Sequence, residues 1–426
     1  MTTSNQNPYK ILALDGGGFR GVMTAQILIE VEKKIREKYG CALHEYFDLV
    51  TGTSTGSLLA AGIALGKTAQ ELLDLYKNEG DKIFPKSKRF QRNFRFLSRN
   101  IPFIASDILY DNQTGLGEVL RRVFGEQKIG EILPESASQN KRTGLPVLLI
   151  PAYNLSERRI TWFCNNNPKT DKAPYDDIPV WQICVCSSAA PTFFPPYELT
   201  YKLSDGKEEI VPFIDGGVAV NNPTLLGISH ALYLPYRDVE GERLDFNLDD
   251  FAVLSIGTGE YIEPYTYKQV KNWGALQWAT RLPDLFIPAP NDVTADIAWQ
   301  IIRQENEENA QRCLRLDYAL PSQDQYQNYP SLKNIPVIAE AFQKKQFGSI
   351  DNPEMFDAYQ QFANCYLDGK LQQRDLKTLF GLGLGKDLTK EEKYKRKVLP
   401  REAIAKFIDN NGYVKETRPL PTGKQS

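Results

Sequence analysis

The sequence predicts an α/β fold with a mainly parallel central sheet covered by helices, and three observations carry that expectation. Within the first 66 residues, a short β-prone run twice meets a cluster of glycines and passes into a helical pattern. Further strand-like runs recur as far as residue 256, and beyond about residue 265 the pattern changes to longer polar-apolar helices. Strands separated by helices imply a parallel sheet with both faces covered.

In chain order, Tyr9 to Asp15 reads as a strand, and a helix follows with apolar residues at Ile27, Leu28, Val31 and Ile35 and a cap at Gly40. Phe47 to Thr51 is the second strand, Gly52 to Gly56 a turn, and Leu58 to Leu65 a small-residue helix ending at Gly66. Thr68-x-x-Glu71 is a capping box that opens a third helix toward Gly80. Strands are also expected at Leu145 to Ile150, Arg159 to Phe163, Val211 to Ile214 and Phe251 to Ile256. Helices are expected at Ser331 to Lys345 and Met355 to Leu367, with a charged run at Lys390 to Lys397. The expected organisation is an α/β unit over residues 1–320 and a helical cover or appended region over 321–426.

The 426 residues carry 51 Lys+Arg against 53 Asp+Glu, a net charge of −2, which removes a chain-wide electrostatic argument for nucleic acid. A hydrophobic fraction of 42% with 24% charged residues supplies a large core and excludes chain-wide disorder. The longest nearly uncharged apolar stretch, Ser57 to Gly66, is about half of what a bilayer-spanning helix requires. The N-terminus shows neither a basic n-region nor an apolar h-region, so a cytoplasmic protein is expected. Six scattered cysteines without C-x-x-C spacing read as reduced core residues.

Gly16-Gly17-Gly18-Phe19-Arg20-Gly21 satisfies G-x-G-x-x-G between a strand and a helix. A dinucleotide site would need an acidic residue closing the next strand to hold a ribose, but that strand ends in Val50-Thr51 and Asp48 stands at its start. The stretch Gly62 to Thr68 is one residue too short for a phosphate-binding P-loop and follows a helix where a strand is needed. What the glycines supply in general is convergent backbone N–H groups at a helix N-terminus, suited to a phosphate or to the oxyanion of acyl transfer.

Gly52-Thr53-Ser54-Thr55-Gly56 is G-x-S-x-G, a string expected by chance roughly 0.1 times in a chain of this length. Its place between a strand and a small-residue helix is the context in which flanking glycines project a serine hydroxyl from the sheet edge. A helix N-cap serine is the competing reading. A serine nucleophile needs a base, and the chain holds two histidines. His230 follows Asp215 in the order of an α/β-hydrolase triad, yet it lies in a helical stretch only 15 residues later. His44 stands at the start of the second strand and so at the wrong end of the sheet. Asp215, in Phe213-Ile-Asp-Gly-Gly217, is a carboxylate that can take the serine proton directly, or simply an Asp opening a turn.

Asp15-Gly-Gly-Gly-Phe-Arg-Gly21, Gly-Thr-Ser54-Thr-Gly56 and Asp215-Gly-Gly217, in this order, resemble the patatin-like phospholipase family. The resemblance extends through Ser188-Ala-Ala-Pro-Thr-Phe-Phe-Pro-Pro196, Asn221-Asn-Pro223 and Leu254-Ser-Ile-Gly-Thr-Gly259, with a weaker likeness up to Arg315-Leu-Asp317. It implies a three-layer α/β/α fold and a lipid acyl hydrolase, with a dyad of Ser54 and Asp215 and no cofactor, metal or calcium. The backbone N–H groups of Gly16, Gly17 and Gly18 would form the oxyanion hole, and Arg20 would brace that loop or meet a phosphate. Ser57 stands where many members carry another glycine. The expected substrates are phospholipid or galactolipid esters. A catalytically silent binding protein and an effector gated by a nucleotide or protein activator are the alternatives.

From Lys82 to Ser106 the chain carries seven cations, five phenylalanines and no acid. One reading makes Lys86, Lys88, Arg89, Arg92 and Arg95 a peripheral membrane contact; a loop with inward phenylalanines and outward cations, and a nucleic-acid contact, are the competing readings.

Overall fold

Every residue of the first strand, β1 (Tyr9–Leu14), is buried, as befits a strand with neighbours on both edges and helices on both faces. The computed structural model describes residues 8–84, 115–132, 146–165, 174–371 with short interruptions, 398–413 and 420–421. After β1 come α1 (Gly21–Tyr39), β2 (Leu49–Gly52), α2 (Thr55–Ala64), α3 (Ala69–Ile83), α4 (Leu116–Phe124), β3 (Val147–Asn154) and β4 (Arg159–Cys164). The chain continues through α5 (Val180–Ser188), β5 (Tyr197–Lys202), β6 (Glu208–Asp215), α6 (Thr224–Tyr233), β7 (Phe251–Ile256), α7 (Ala289–Arg303) and β8 (Cys313–Leu316). Last come α8 (Pro336–Gln343), α9 (Phe356–Leu367) and α10 (Pro400–Asn410).

The main sheet has eight strands in the order β8-β7-β1-β2-β3-β6-β5, with β4 paired to β3 as well. The pairs from β8 through β3 are parallel, whereas β6, β5 and β4 join antiparallel. One register decides where the site forms. β2 pairs with Val147 to Leu149 of β3, and β6 pairs with Ala152 to Asn154, while β4 pairs with Leu149 to Asn154 along the opposite edge. β2 and β6 therefore approach each other head to head along one edge, and the turns after Gly52 and after Asp215 meet beside Pro151.

The strand expected at Leu145 to Ile150 is observed as Val147–Asn154. β5 and β8 are strands the sequence reading did not mark; β5 is a six-residue strand alternating buried and exposed residues. The single helix expected at Ser331 to Lys345 is two, Pro330–Lys333 and Pro336–Gln343. Pro336 has no N–H to continue the first and sits instead at the first turn of the second. The charged run at Lys390 to Lys397 lies outside the described residues.

Packing is continuous across residue 320. Tyr359 and Phe362 of α9 and Ile404 and Phe407 of α10 share one hydrophobic cluster with Phe19, Val22 and Ile27. Glu30 pairs with Arg401, Lys38 with Asp409, and Gln360 donates to Gln26 at 3.0 Å. All six cysteines are buried, and none is joined in a disulfide. Among the described residues no helix is long and apolar enough to cross a membrane.

Candidate active site

Ser54 sits between β2 and α2 with φ 53° and ψ −124°, a backbone conformation that a residue with a Cβ adopts only when its surroundings enforce it. Those surroundings are specific. The Ser54 N–H donates to Ser187 Oγ at 3.0 Å, and the Ser54 carbonyl accepts from Ser57 Oγ at 2.6 Å and from Ser57 N–H at 2.8 Å. Ser57 thus closes the turn, which accounts for a serine where a glycine was the commoner choice. The flanking glycines are required by space: a Cβ on Gly52 would lie 2.0 Å from the Gly56 carbonyl oxygen, and one on Gly56 would lie 2.2 Å from that of Leu14.

Asp215 ends β6 and is 6% exposed, against 8% for Ser54. Burial raises its pKa to about 6; hydrogen bonds from the Ser54 hydroxyl and from the Gly217 N–H pull the other way. The Gly217 contact is made to Oδ1 at 2.6 Å. At neutral pH the carboxylate is thus mostly ionised. The two turns are tied through α5: Ser187 Oγ donates to the Pro151 carbonyl at 2.7 Å, and its own carbonyl accepts the Gly216 N–H at 3.2 Å. Thr53 Oγ1 adds a bond to the Val220 carbonyl at 2.7 Å.

The glycine loop lies against this pair, since a Cβ on Gly16 would stand 3.3 Å from that of Ser54. Of the three expected oxyanion donors, Gly16 is corrected: its N–H is already given to the Asn221 carbonyl at 3.1 Å. Among the described residues no acceptor faces the N–H of Gly17 or Gly18, and Gly18 has φ 58°. Arg20 takes the bracing role, with Nη1 on the Gly259 carbonyl at 2.9 Å and Nε on that of Gly17 at 3.4 Å. Thr258 Oγ1 donates to the Gly16 carbonyl at 3.1 Å.

Behind the loop lies a buried charge network that sequence reasoning touched only as a distant likeness. Arg315 forks onto Asp15 at 2.8 and 2.5 Å, and also reaches Asp317 at 2.8 Å and Ser255 Oγ at 2.7 Å. Burial opposes the charge on Arg315, but the two carboxylates outweigh it and hold its pKa above the ordinary value. Asp317 Oδ1 in turn accepts the Gly259 N–H at 3.2 Å. Strand β8 therefore fixes both the start of the glycine loop and the loop that clamps it.

Neither histidine bonds to Asp215. His230 Nε2 meets Cys164 Sγ at 3.1 Å, and burial lowers its pKa to about 4. His44 lies on the turn Leu43–Tyr46, before β2, at the opposite end of that strand from Ser54. Lys86, Lys88, Arg89, Arg92 and Arg95 lie outside the described residues. Their N-terminal flank is nevertheless placed: Phe84 packs on Phe19 of the glycine loop and on Phe194, with ring centroids 6.1 and 5.7 Å apart. No cluster of metal-ligating side chains occurs among the described residues.

A serine on a strained elbow, a buried carboxylate and a glycine loop thus lie together at one end of a mainly parallel sheet. The family model of the patatin-like phospholipase matches residues 12–228. Patatin-like protein 1 of Arabidopsis thaliana is 31% identical over 329 residues, which are 72% of this chain and 73% of that protein. The cGAMP-activated phospholipase of Vibrio cholerae serotype O1 is 33% identical over 257 residues, 59% of this chain and 65% of that one. The solved structure of human GIVD cytosolic phospholipase A2 aligns over 84% of this chain and 58% of its own, with 13% identity and a TM-score of 0.37. The chain belongs to the patatin-like phospholipase family, a family of lipid-hydrolysing esterases.

Proposed function

We propose that this protein cleaves fatty-acyl esters of phospholipids or galactolipids through Ser54 and Asp215. The observation that carries the reading is the meeting of the strained Ser54 elbow with the buried Asp215 at the end of β6, the two turns being tied together through Ser187. Ser54 Oγ attacks the ester carbonyl while Asp215 accepts its proton. The N–H groups of Gly17 and Gly18 stabilise the oxyanion, and the N-terminus of α2 adds partial positive charge. Collapse of the tetrahedral intermediate expels the lyso-lipid alkoxide, which takes the proton back from Asp215. Water, deprotonated by Asp215, then releases the fatty acid and restores Ser54. No step calls on a metal or cofactor.

Access to lipid is by peripheral contact from the cytoplasmic side, with the basic segment carrying Lys86, Lys88, Arg89, Arg92 and Arg95 against an anionic surface. The contact of Phe84 with Phe19 supports this, because it starts that segment beside the glycine loop.

The test is fatty-acid release from mixed phospholipid and galactolipid vesicles in the presence of a chelator. Wild type and His230→Ala release fatty acid; Ser54→Ala and Asp215→Ala do not. Equal release by Ser54→Ala would exclude the mechanism. The likeness to a cGAMP-activated phospholipase favours a second reading, a gated enzyme. In that case wild type is silent until a cyclic dinucleotide is added.

A further inference from the structure

The loop after β7 leaves the active-site end of the sheet and runs directly into aromatic and cationic residues. Thr258 and Gly259 clamp the glycine loop, and Glu260–Tyr261 pairs in parallel with Ala319–Leu320. Tyr265 follows four residues later, so it lies within about 14 Å of Tyr261. From Tyr265 to Trp278 the sequence holds two tyrosines, two of the chain's five tryptophans, two lysines and no acid.

Several of its described residues contact one another. Thr266 donates its N–H and its hydroxyl to Gln269 Oε1, both at 2.7 Å, capping the turn Tyr267–Val270. Trp273 packs edge-on against Tyr265 and Trp278, with centroids 5.0 and 5.1 Å apart. Despite that packing, Tyr267 is 80% exposed and Trp278 44%, and Lys268 and Lys271 are exposed beside them. Trp, Tyr and Lys with no acid form the side-chain set of the bilayer interface: amphipathic rings sit at the headgroup level and ammonium groups meet anionic phosphate. A preformed aromatic ladder also loses little entropy on contact.

We propose that Tyr267, Lys268, Lys271 and Trp278 form an interfacial anchor that seats the active-site end of the sheet on an anionic phospholipid bilayer. The inference rests on the reading of the site as a lipid hydrolase and adds the surface that presents it to the lipid.

The experiment compares wild type, Tyr267→Ser with Trp278→Ser, and Lys268→Glu with Lys271→Glu. Each is assayed by co-sedimentation with phosphatidylcholine vesicles containing phosphatidylglycerol, and by turnover of a short-chain ester below its micellar concentration. Each double variant should lose about tenfold or more in vesicle affinity, and fatty-acid release should fall with it. Turnover of the monomeric ester should stay at the wild-type level. Tryptophan emission of wild type should shift to the blue with vesicles, and that shift should shrink in Trp273→Phe with Trp278→Phe. Vesicle affinity unchanged in both double variants overturns the anchor. A wild type that binds vesicles through these residues yet turns over no ester, with or without a cyclic dinucleotide, overturns the hydrolase reading and leaves the anchor supported.

Discussion

Ser187 accepts the N–H of Ser54 at 3.0 Å and donates its own proton to the carbonyl of Pro151 at 2.7 Å. A hydroxyl in this position satisfies two buried backbone groups, one on the elbow after β2 and one on β3, and its carbonyl holds Gly216 beside Asp215. It therefore sets the distance between the two proposed catalytic side chains without touching substrate.

Replacing Ser187 by Ala leaves an amide and a carbonyl unpaired in the interior, which costs about 1–3 kcal/mol per group. The expected result is a lower urea midpoint and a fall in kcat larger than any change in KM. Equal losses in Ser187→Ala and in a distant core variant of matched stability would assign Ser187 to stability alone.

Asp215 gives a pH prediction with a definite sign. Its folded-state pKa of about 6 stands above the ordinary value of 3.8, so the folded protein binds this proton more tightly than the unfolded chain. This contribution to stability is fully present below the unfolded value and is lost as pH rises through about 6, amounting to at most about 3 kcal/mol. Activity moves the other way, rising through the same range as the base ionises. Asp215→Asn should flatten the stability slope and lower kcat by about 100- to 10,000-fold. Denaturation at two pH values together with a pH–rate profile checks both signs.

Gly56→Ala should cost about 1–3 kcal/mol or prevent folding, because its Cβ has no room beside the Leu14 carbonyl. Gly125→Ala is the contrast: its Cβ meets nothing within 4 Å, and only its φ of 65° resists the change. Thermal melting of the two variants ranks them, with Gly56→Ala the lower.

Arg315→Met strands two buried carboxylates and should destabilise by about 3–5 kcal/mol. Arg315→Lys keeps the charge but loses the fork onto Asp15, so it should melt higher than the Met variant and still lose kcat. A Lys variant with wild-type kcat would show that the network does not position the glycine loop.

The legible part of this protein is the part where local chemistry forces the backbone. Gly52 and Gly56 flank Ser54 because no Cβ fits there, and the glycine cluster at 16–18 announces its turn equally well. Ser187 carries no such signal: its importance arises from β6 meeting β2 along one edge of β3, a register that no local pattern records. The same long-range pairing consumes the Gly16 amide, which sequence alone counted as free. Arg315 acts on a residue 300 positions away, and β5 escaped notice because its alternation includes charged residues on the exposed face.

The central claim is that Ser54 is the nucleophile and Asp215 its base, and covalent trapping tests it most directly. Wild type, Ser54→Ala and Asp215→Asn are incubated with an alkyl fluorophosphonate, and the adduct is mapped by mass spectrometry after digestion. The account predicts one phosphonyl group on Ser54 in wild type, none in Ser54→Ala, and slow labelling in Asp215→Asn that no longer depends on pH near 6. Labelling at another residue in wild type, or equal rates with Asp and Asn at position 215, would contradict it.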